Sequence, residues 1–327
     1  RLDAHCDGPF QIPYREIAAL LASCGAAHFP QQAATAAETA CAVVESRALT
    51  FCYPPRRDID APTVNTLCGV DFTVRAGEWV AIAGANGAGK TTLLQILFRV
   101  LSNYSGELSV DGTPLKEIPR HVLYRRMGLL FQNPEWQFVT NRVEDELLFS
   151  LRQSALTEEA KLASVSRLLL QFHLEQYRDR SPFLLSQGEK RRLSVACTLL
   201  TGQRVLFFDE PTYGQDGETA QELLSFLESL RKDGVTIVTV THDMGLVCQH
   251  ADRVLLLSEG KIAYDGAPEA LFLGKIERSW RVDLPPVLRF CDALRSYLPV
   301  FPRLLSREDC LFALNLCMET EGHHAYC

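Results

Sequence analysis

The sequence lacks a long uninterrupted hydrophobic run and an excess of positive charge. Its 327 residues carry 33 Lys and Arg against 40 Asp and Glu, a formal net charge of −7. Proteins that bind nucleic acid present a basic surface to the phosphates, so we predict no nucleic-acid partner. The longest uncharged stretch, 17–37, contains Pro30, Gln31 and Gln32 and is too polar and broken to span a bilayer. Any role at a membrane therefore requires partners that span it.

Cysteine is abundant but lacks a motif spacing. The 11 cysteines are scattered, odd in number, and never spaced as Cys-x-x-Cys. This spacing excludes the common zinc and dithiol motifs, and we interpret the cysteines as thiols of a reducing compartment. Hydrophobic residues at 47% and charged residues at 22% are typical of a globular protein.

Amino-acid composition and hydropathy pattern divide the chain into three parts. Residues 1–45 are alanine-rich and low in charge, which favours an N-terminal linker. Residues 46–275 form the predicted catalytic domain, and 276–327 a C-terminal accessory segment. Within the domain, apolar runs such as 78–83 and 205–208 alternate with helical patterns, which predicts an α/β fold around a mostly parallel sheet.

A phosphate-binding loop follows the first of these apolar runs. Gly84-Ala-Asn-Gly-Ala-Gly-Lys90-Thr91 fits the pattern G-x-x-x-x-G-K-[ST] between a predicted strand and a predicted helix. Glycines let backbone amides wrap a phosphate, Lys90 would neutralise the β/γ oxygens, and Thr91 would bind Mg²⁺. The predicted nucleotide contacts are Gly84, Asn86, Gly87, Ala88, Gly89, Lys90, Thr91 and Thr92. The alternative, a plain glycine turn before a helix, explains fewer of these positions.

Two acidic residues close another apolar run, Val205-Leu-Phe-Phe-Asp209-Glu210. A carboxylate at the end of a buried strand is expected beside Mg²⁺ at the carboxyl edge of the sheet, which we assign to Asp209. Glu210 would lie at the same edge, where it can polarise an attacking water. The alternatives are a strand-end cap for Asp209 and an ordinary surface carboxylate for Glu210.

Further motifs make the pattern specific to one family. Gln132 in Leu-Leu-Phe-Gln132, Leu185-Ser-Gln-Gly-Glu189, Asp209-Glu-Pro-Thr212 and Thr241-His242-Asp243 occur in register. In order, spacing and context, they resemble the ATP-binding cassette (ABC) ATPases over about residues 47–275. This resemblance implies a P-loop NTPase fold with a mostly parallel sheet, an antiparallel β-subdomain and a helical signature subdomain.

The resemblance also implies roles for individual residues. Glu210 resembles the catalytic carboxylate, His242 the residue that contacts the γ-phosphate, and Gln132 the glutamine that senses Mg²⁺ and the transmembrane partner. The implied catalytic residues are thus Glu210, His242 and Gln132, and the implied metal site is Thr91, Gln132 and Asp209. For His242, the alternative is a helix cap.

Three further residues would bind nucleotide by the same resemblance. Tyr53 resembles the aromatic residue that stacks on adenine, although a core or edge-strand tyrosine is the alternative. Ser186 and Gly188 resemble the signature residues that grip the γ-phosphate bound to the opposite subunit. The resemblance therefore implies that two ATPase domains associate head to tail, with ATP bound between them. The second domain would come from a homodimer, from a heterodimer or from a fused upstream half of the same polypeptide.

Two segments indicate which branch of the ABC family the chain resembles. Gln132-Asn-Pro-Glu-Trp-Gln-Phe138 and Val143-Glu-Asp-Glu-Leu147 are similar to the cobalt and energy-coupling-factor importers. That branch implies a peripheral ATPase at the cytoplasmic face of the cell membrane, working with transmembrane coupling and substrate-capture proteins. Its substrates are micronutrients: a vitamin, a precursor or a transition-metal ion. We expect this chain to be the second half of a duplicated ATPase.

Other functions compete with an importer. The alternatives are a soluble ABC-type ATPase of translation or DNA repair, an export ATPase, and a regulatory cassette that barely hydrolyses ATP. The signature itself departs from the commoner Leu-Ser-Gly-Gly-Gln at Gln187 and Glu189, and we expect the negative charge of Glu189 to weaken the grip on a partner's phosphate. We interpret the run Lys190-Arg-Arg192 as a solvated helix face.

Overall fold

The computed structural model describes residues 41–54, 65–152, 154–200, 202–299 and 301–322. The first 40 residues of the predicted linker lie outside the described residues. The described residues belong to two compact units, a large one that ends at Asp283 and a smaller one that begins at Leu284.

Ten strands form two sheets in the part of the chain that is described. They are β1 (Ala42–Cys52), β2 (Asn65–Arg75), β3 (Trp79–Ala83), β4 (Ser105–Val110), β5 (Thr113–Pro114), β6 (Met127–Leu130), β7 (Val205–Asp209), β8 (Thr236–Thr241), β9 (Arg253–Ser258) and β10 (Lys261–Gly266). The smaller sheet has the order β2-β1-β4-β5 and is antiparallel. Strand β1 begins at Ala42, ahead of the predicted domain start at 46, because the fully buried Val44 pairs with both β2 and β4.

The larger sheet has the order β10-β9-β3-β8-β7-β6. Every pairing in it is parallel except that of β9 with β10. All residues of β3 and β8 are buried, as expected for strands covered on both faces. The predicted α/β fold with a mostly parallel sheet and an antiparallel β-subdomain is confirmed.

Eight helices belong to the described part of the large unit. They are α1 (Lys90–Leu97), α2 (Arg120–Arg126), α3 (Val143–Ser150), α4 (Glu158–Gln171), α5 (Gln187–Leu200), α6 (Gly217–Lys232), α7 (Met244–His250) and α8 (Pro268–Leu273). Helix α1 ends at Leu97, and the chain turns away soon afterwards because Arg99 adopts a left-handed backbone with φ 55°. Helices α3, α4 and α5 pack together and form the predicted helical subdomain.

Two apolar cores lie on opposite faces of the larger sheet. Along β7, Phe207 enters the core shared with the antiparallel sheet, whereas Phe208 enters the core shared with the helical subdomain. Successive side chains of a strand point to opposite faces, so one strand fixes both layers. Burying each such aromatic ring contributes roughly 1.5–3 kcal/mol. The edge of β7 that carries Asp209 is therefore anchored from both sides.

The smaller unit contains α9 (Pro286–Leu294) and α10 (Arg307–Gly322). Its buried core consists of Cys291, Phe301, Cys310 and Ala313. Among the helices described in either unit, none has the length and apolar character needed to cross a membrane.

Candidate nucleotide-binding site

The glycine loop between β3 and α1 packs closely against neighbouring strands. A Cβ atom on Gly84 would lie 2.2 Å from the carbonyl oxygen of Leu257, and one on Gly89 would lie 2.8 Å from Leu67 Cδ2. Both glycines also have positive φ angles, 150° and 107°. Only glycine fits these positions, so the loop keeps the bare backbone that a phosphate requires.

Lys90 opens α1 with its side chain 8% exposed. Its Nζ donates hydrogen bonds to the carbonyl oxygens of Gly84 at 2.6 Å and Ala85 at 3.1 Å. Burial lowers the pKa of Lys90, while the nearby charges of Glu210 and Asp209 oppose that shift. The ammonium group thus lies across the glycine loop and interacts with two carboxylates.

The two carboxylates stand at the end of β7. Burial raises the pKa of Asp209, and the charge of Glu210 adds to this, whereas Lys90 and Arg191 lower it. Glu210 has a left-handed backbone with φ 48°, and its amide donates to the Val240 carbonyl oxygen at 2.8 Å. A left-handed conformation of a non-glycine residue costs about 1–3 kcal/mol and persists only where its surroundings hold it.

Both carboxylate oxygens of Glu210 have partners at the carboxyl end of β8, namely its last residue and the residue that follows it. Thr241 Oγ1 donates to Oε2 at 3.0 Å, and His242 Nδ1 lies 2.7 Å from Oε1. No role was predicted for Thr241, which ends β8 and contacts Glu210 because β8 pairs with β7. Asp243 accepts hydrogen bonds from the Gly245 and Leu246 amides and caps α7, so the cap is Asp243 and the alternative for His242 is wrong.

These groups surround one cavity of about 440 Å³. Its lining consists of Thr66, Asn86, Gly87, Gly89, Lys90, Thr91, Thr92, Gln132, Asp209, Glu210, Tyr213 and His242. Ten of these were predicted, whereas Thr66 and Tyr213 were not. Hydroxyl, amide and carboxylate oxygens are the donors that Mg²⁺ prefers, so the residues present fit a Mg-nucleotide.

The other predicted contacts do not line this cavity. Gly84 and Ala88 are buried within the loop, and Ser186 and Gly188 lie at the start of α5. Tyr53 is 44% exposed, and its hydroxyl lies 3.1 Å from Thr92 Oγ1 and 3.2 Å from Gln95 Oε1. Tyr53 is thus hydrogen-bonded to α1, the helix that follows the glycine loop.

The signature segment forms a reciprocal helix cap. Glu189 Oε2 accepts the Ser186 amide at 2.8 Å, and the Glu189 amide donates to Ser186 Oγ at 3.3 Å. Burial alone would raise the pKa of Glu189, but hydrogen bonds from Tyr177 and Ser186 outweigh it and lower the pKa. The glutamate that replaces the common glutamine therefore stays ionised and bonded to Ser186.

The prediction that Lys190-Arg-Arg192 is a solvated helix face is wrong for its first two residues. Lys190 is 6% exposed and Arg191 1% exposed. Both face the segment that follows β6, a tertiary contact that periodicity does not reveal. Burial lowers the pKa of Arg191 to about 10, although the charge of Asp209 opposes this. Arg192 is the more exposed member and pairs with Glu222 at 3.5 Å.

Known proteins share this architecture. A family profile described as ABC transporter matches residues 67–213. YkoD of Bacillus subtilis, whose name assigns it provisionally to HMP/thiamine import, is 43% identical over 62% of this chain, which spans only 36% of YkoD's length. Energy-coupling factor transporter ATP-binding protein EcfA1 of Halalkalibacterium halodurans is 33% identical over 78% of this chain and 92% of its own.

A solved structure agrees with these relatives. CbiO1 from Clostridium perfringens, described as part of the ABC transporter complex cbiONQ, superposes with a TM-score of 0.65 at 26% identity, over 79% of this chain and 96% of cbiO1. CbiO1 therefore shares the fold in which the glycine loop, the two carboxylates and His242 of this chain surround one cavity. The chain therefore belongs to the ATP-binding cassette family of transporter ATPases, which bind and hydrolyse ATP.

Proposed function

We propose that this chain is the ATP-binding subunit of a membrane importer and powers uptake of a micronutrient. The observation that carries the proposal is the single cavity that joins Lys90 and the glycine loop to Asp209, Glu210 and His242. The import-type and energy-coupling-factor names of its relatives favour this branch over a soluble or export ATPase.

The role proposed for each residue of the cavity follows from its charge and its position. Lys90 would neutralise the β- and γ-phosphates, and Thr91, Gln132 and Asp209 would hold Mg²⁺, which offsets charge on the phosphates when bound. Glu210, oriented through both oxygens, would accept a proton from the attacking water. His242 would contact the γ-phosphate beside it.

A second cassette would complete the site from outside. Ser186 and Gly188 stand at the start of α5, a helix N-terminus that favours anions, and are absent from their own chain's cavity. They would therefore serve the nucleotide held by a companion domain, while Tyr53 would contact the adenine of its own. Such a companion could be a second copy, a different ATPase or a fused half.

A membrane partner would dock beside Gln132. Three apolar residues close to Gln132 in the chain are exposed: Phe131 by 38%, Trp136 by 72% and Val139 by 62%. Exposed apolar side chains of this kind support an interaction surface. With this docking we propose a peripheral position at the cytoplasmic face of the membrane.

Uptake in a reconstituted complex tests the importer. The chain is co-expressed with membrane proteins encoded beside it, and ATP-driven uptake of vitamins and of Co²⁺ or Ni²⁺ is measured in vesicles. Trp136→Ala should lower partner retention and uptake while nucleotide binding by the isolated chain is unchanged. Val100→Ala, which trims another exposed apolar residue, is the control. Efflux without uptake, or stable purification with no membrane partner, would contradict the proposal.

The variant signature gives a second prediction. Glu189→Gln should tighten ATP-dependent association with a companion domain about two- to fivefold, since a charge near a helix terminus is worth roughly 0.3–1 kcal/mol. Glutamine can still accept the Ser186 amide, so the cap is kept. Light scattering across an ATP titration measures the association. Glu222→Gln removes an equal charge from α6 and should leave the association unchanged; equal behaviour of the two variants would refute the role of Glu189.

A further inference from the structure

Two of the cysteines face each other inside the smaller unit. Cys291 lies in α9 and Cys310 in α10, and their Sγ atoms are 3.9 Å apart. Both residues are buried, with 0% and 4% of their surfaces exposed, and both are free thiols. A disulfide bond holds its two sulfurs about 2.05 Å apart. Each sulfur would therefore have to move by only about 1 Å to form one.

Short-range bonds on both sides of the thiols hold this approach in place. Ser306 caps α10, since its Oγ accepts hydrogen bonds from the amides two and three residues later at 3.1 and 3.3 Å. Arg303, in the connection between the helices, pairs with Asp292 of α9 at 3.0 Å. The Sγ atom of Cys291 also lies 3.9 Å from the Leu304 carbonyl oxygen. The folded connection thus brings the two thiols together.

The core that encloses the thiols is small. Among the residues that the structure describes in this unit, Phe301 and Ala313 complete the buried core with the two cysteines. Two helices that share so little buried apolar surface are expected to open locally more often than the sheets of the large unit. Opening is needed for thiol chemistry, because burial in the closed unit raises the pKa of Cys310 to about 11 and suppresses its thiolate.

We propose that Cys291 and Cys310 form a reversible oxidation site, at which a small disulfide of the glutathione class converts the two thiols into an intramolecular disulfide. In the opened unit, the thiolate of one cysteine attacks a sulfur of the small disulfide and displaces one small thiol. The thiolate of the second cysteine then attacks the mixed disulfide and releases the other small thiol. Two protein S–H bonds are replaced by one S–S bond, and the small disulfide takes up two electrons and two protons to become two thiols.

Oxidation at this site changes how often the helix pair opens. The bond links positions 19 residues apart, and closing a loop of this length in the opened chain lowers the opening equilibrium roughly 100-fold. In a reducing compartment the pair remains as two thiols, so the stability of α9 and α10 responds to the redox state of the surroundings. The site is independent of the nucleotide cavity and of the function proposed for it.

A third cysteine provides the matched control. Cys317 also lies in α10 and borders the same core. It follows Cys310 by seven residues, about 10.5 Å along the helix, which is too far for these two to bridge. Because Cys310 is the residue whose sulfur contacts Cys291, Cys317→Ser removes a neighbouring thiol and should leave the bridge intact.

The test exposes the full chain to glutathione buffers with a stepwise increase in the oxidised fraction. Free thiols are then blocked with N-ethylmaleimide, and the tryptic peptides are analysed without reduction. The expected product is the peptide 290–295, which contains Cys291, linked to the peptide that begins at Glu308, with fragment ions that place the bond at Cys310. Dithiothreitol should abolish the link. Cys291→Ser and Cys310→Ser should each lose it, whereas Cys317→Ser should keep it.

Amide hydrogen exchange in the parent chain gives a second measurement that needs no variant. Exchange in α9 should slow by about 10- to 100-fold on oxidation and return to its first rate after dithiothreitol. If a serine variant unfolds the smaller unit, the linked peptide and the exchange rates of the parent carry the test.

Three results would overturn the proposal. The first is a parent chain that, at equilibrium with oxidised glutathione, carries only mixed disulfides with glutathione and no link between Cys291 and Cys310. The second is a parent chain in which Cys291 is linked to Cys317 instead. The third is a bridge that forms but leaves exchange in α9 unchanged, because the bond would then have no effect on the opening of the helix pair.

Discussion

Replacing Glu210 with glutamine is expected to reduce ATP turnover by about 10²–10⁴-fold, the usual contribution of a positioned general base. An amide cannot take a proton from water, but it can still bond Thr241 and His242, which hold the side chain at 3.0 and 2.7 Å. Nucleotide binding and ATP-driven dimerisation should therefore persist. Phosphate release measures turnover, and light scattering measures the dimer.

A control substitution, Glu222→Gln, distinguishes loss of the catalytic group from loss of one negative charge. Glu222→Gln also removes one carboxylate, but from the exposed surface of α6, and should leave turnover at the parental rate. Normal hydrolysis by the Glu210→Gln chain would remove Glu210 from the catalytic role and would direct attention to Asp209 as the remaining carboxylate of the cavity.

Replacing Gly84 with alanine is expected to abolish nucleotide binding. The new Cβ would lie 2.2 Å from the carbonyl oxygen of Leu257 on β9, a contact that only a backbone shift can relieve. Because Lys90 bonds the Gly84 carbonyl oxygen at 2.6 Å, the same shift displaces the ammonium group. Titration with a fluorescent ATP analogue should show a loss of at least about 100-fold, equivalent to some 2.7 kcal/mol.

Gly87→Ala is the control within the same loop. Gly87 has φ 82°, so alanine is strained there, but a Cβ would meet nothing within 4 Å. The strain costs about 1–2 kcal/mol, so binding should weaken without disappearing. Equal losses at Gly84 and Gly87 would mean that backbone conformation, and not the clash with Leu257, governs the loop.

Much of the fold was predictable because local pattern and tertiary environment agree. The run 79–83 is apolar throughout and forms a strand buried on both faces, and helix α6 begins at Gly217 because Asp216 caps it. The residues of the cavity were predictable for a related reason: a glycine loop or a carboxylate at a parallel strand's end is placed by the strand itself.

The contacts of α5 were not predictable in the same way. Lys190 and Arg191 are polar, and polarity alone favours solvent exposure. Their burial depends on which segment packs against the helix, namely Phe131–Gln137, more than fifty residues earlier in the chain. Likewise, the bond from Thr241 to Glu210 depends on the pairing of β7 with β8, and no local sequence signal specifies that pairing.

The order β3-β8-β7 has a consequence for how such sites diverge. One strand separates the glycine loop from Asp209, and hydrogen bonding keeps neighbouring strands about 4.8 Å apart. The sheet thus fixes a spacing of roughly 10 Å between the loop that would hold phosphate and the carboxylates at the end of β7. Tyr213 also lines the cavity but is 61% exposed and lies outside the strands, so a substitution there changes the cavity lining without altering this spacing.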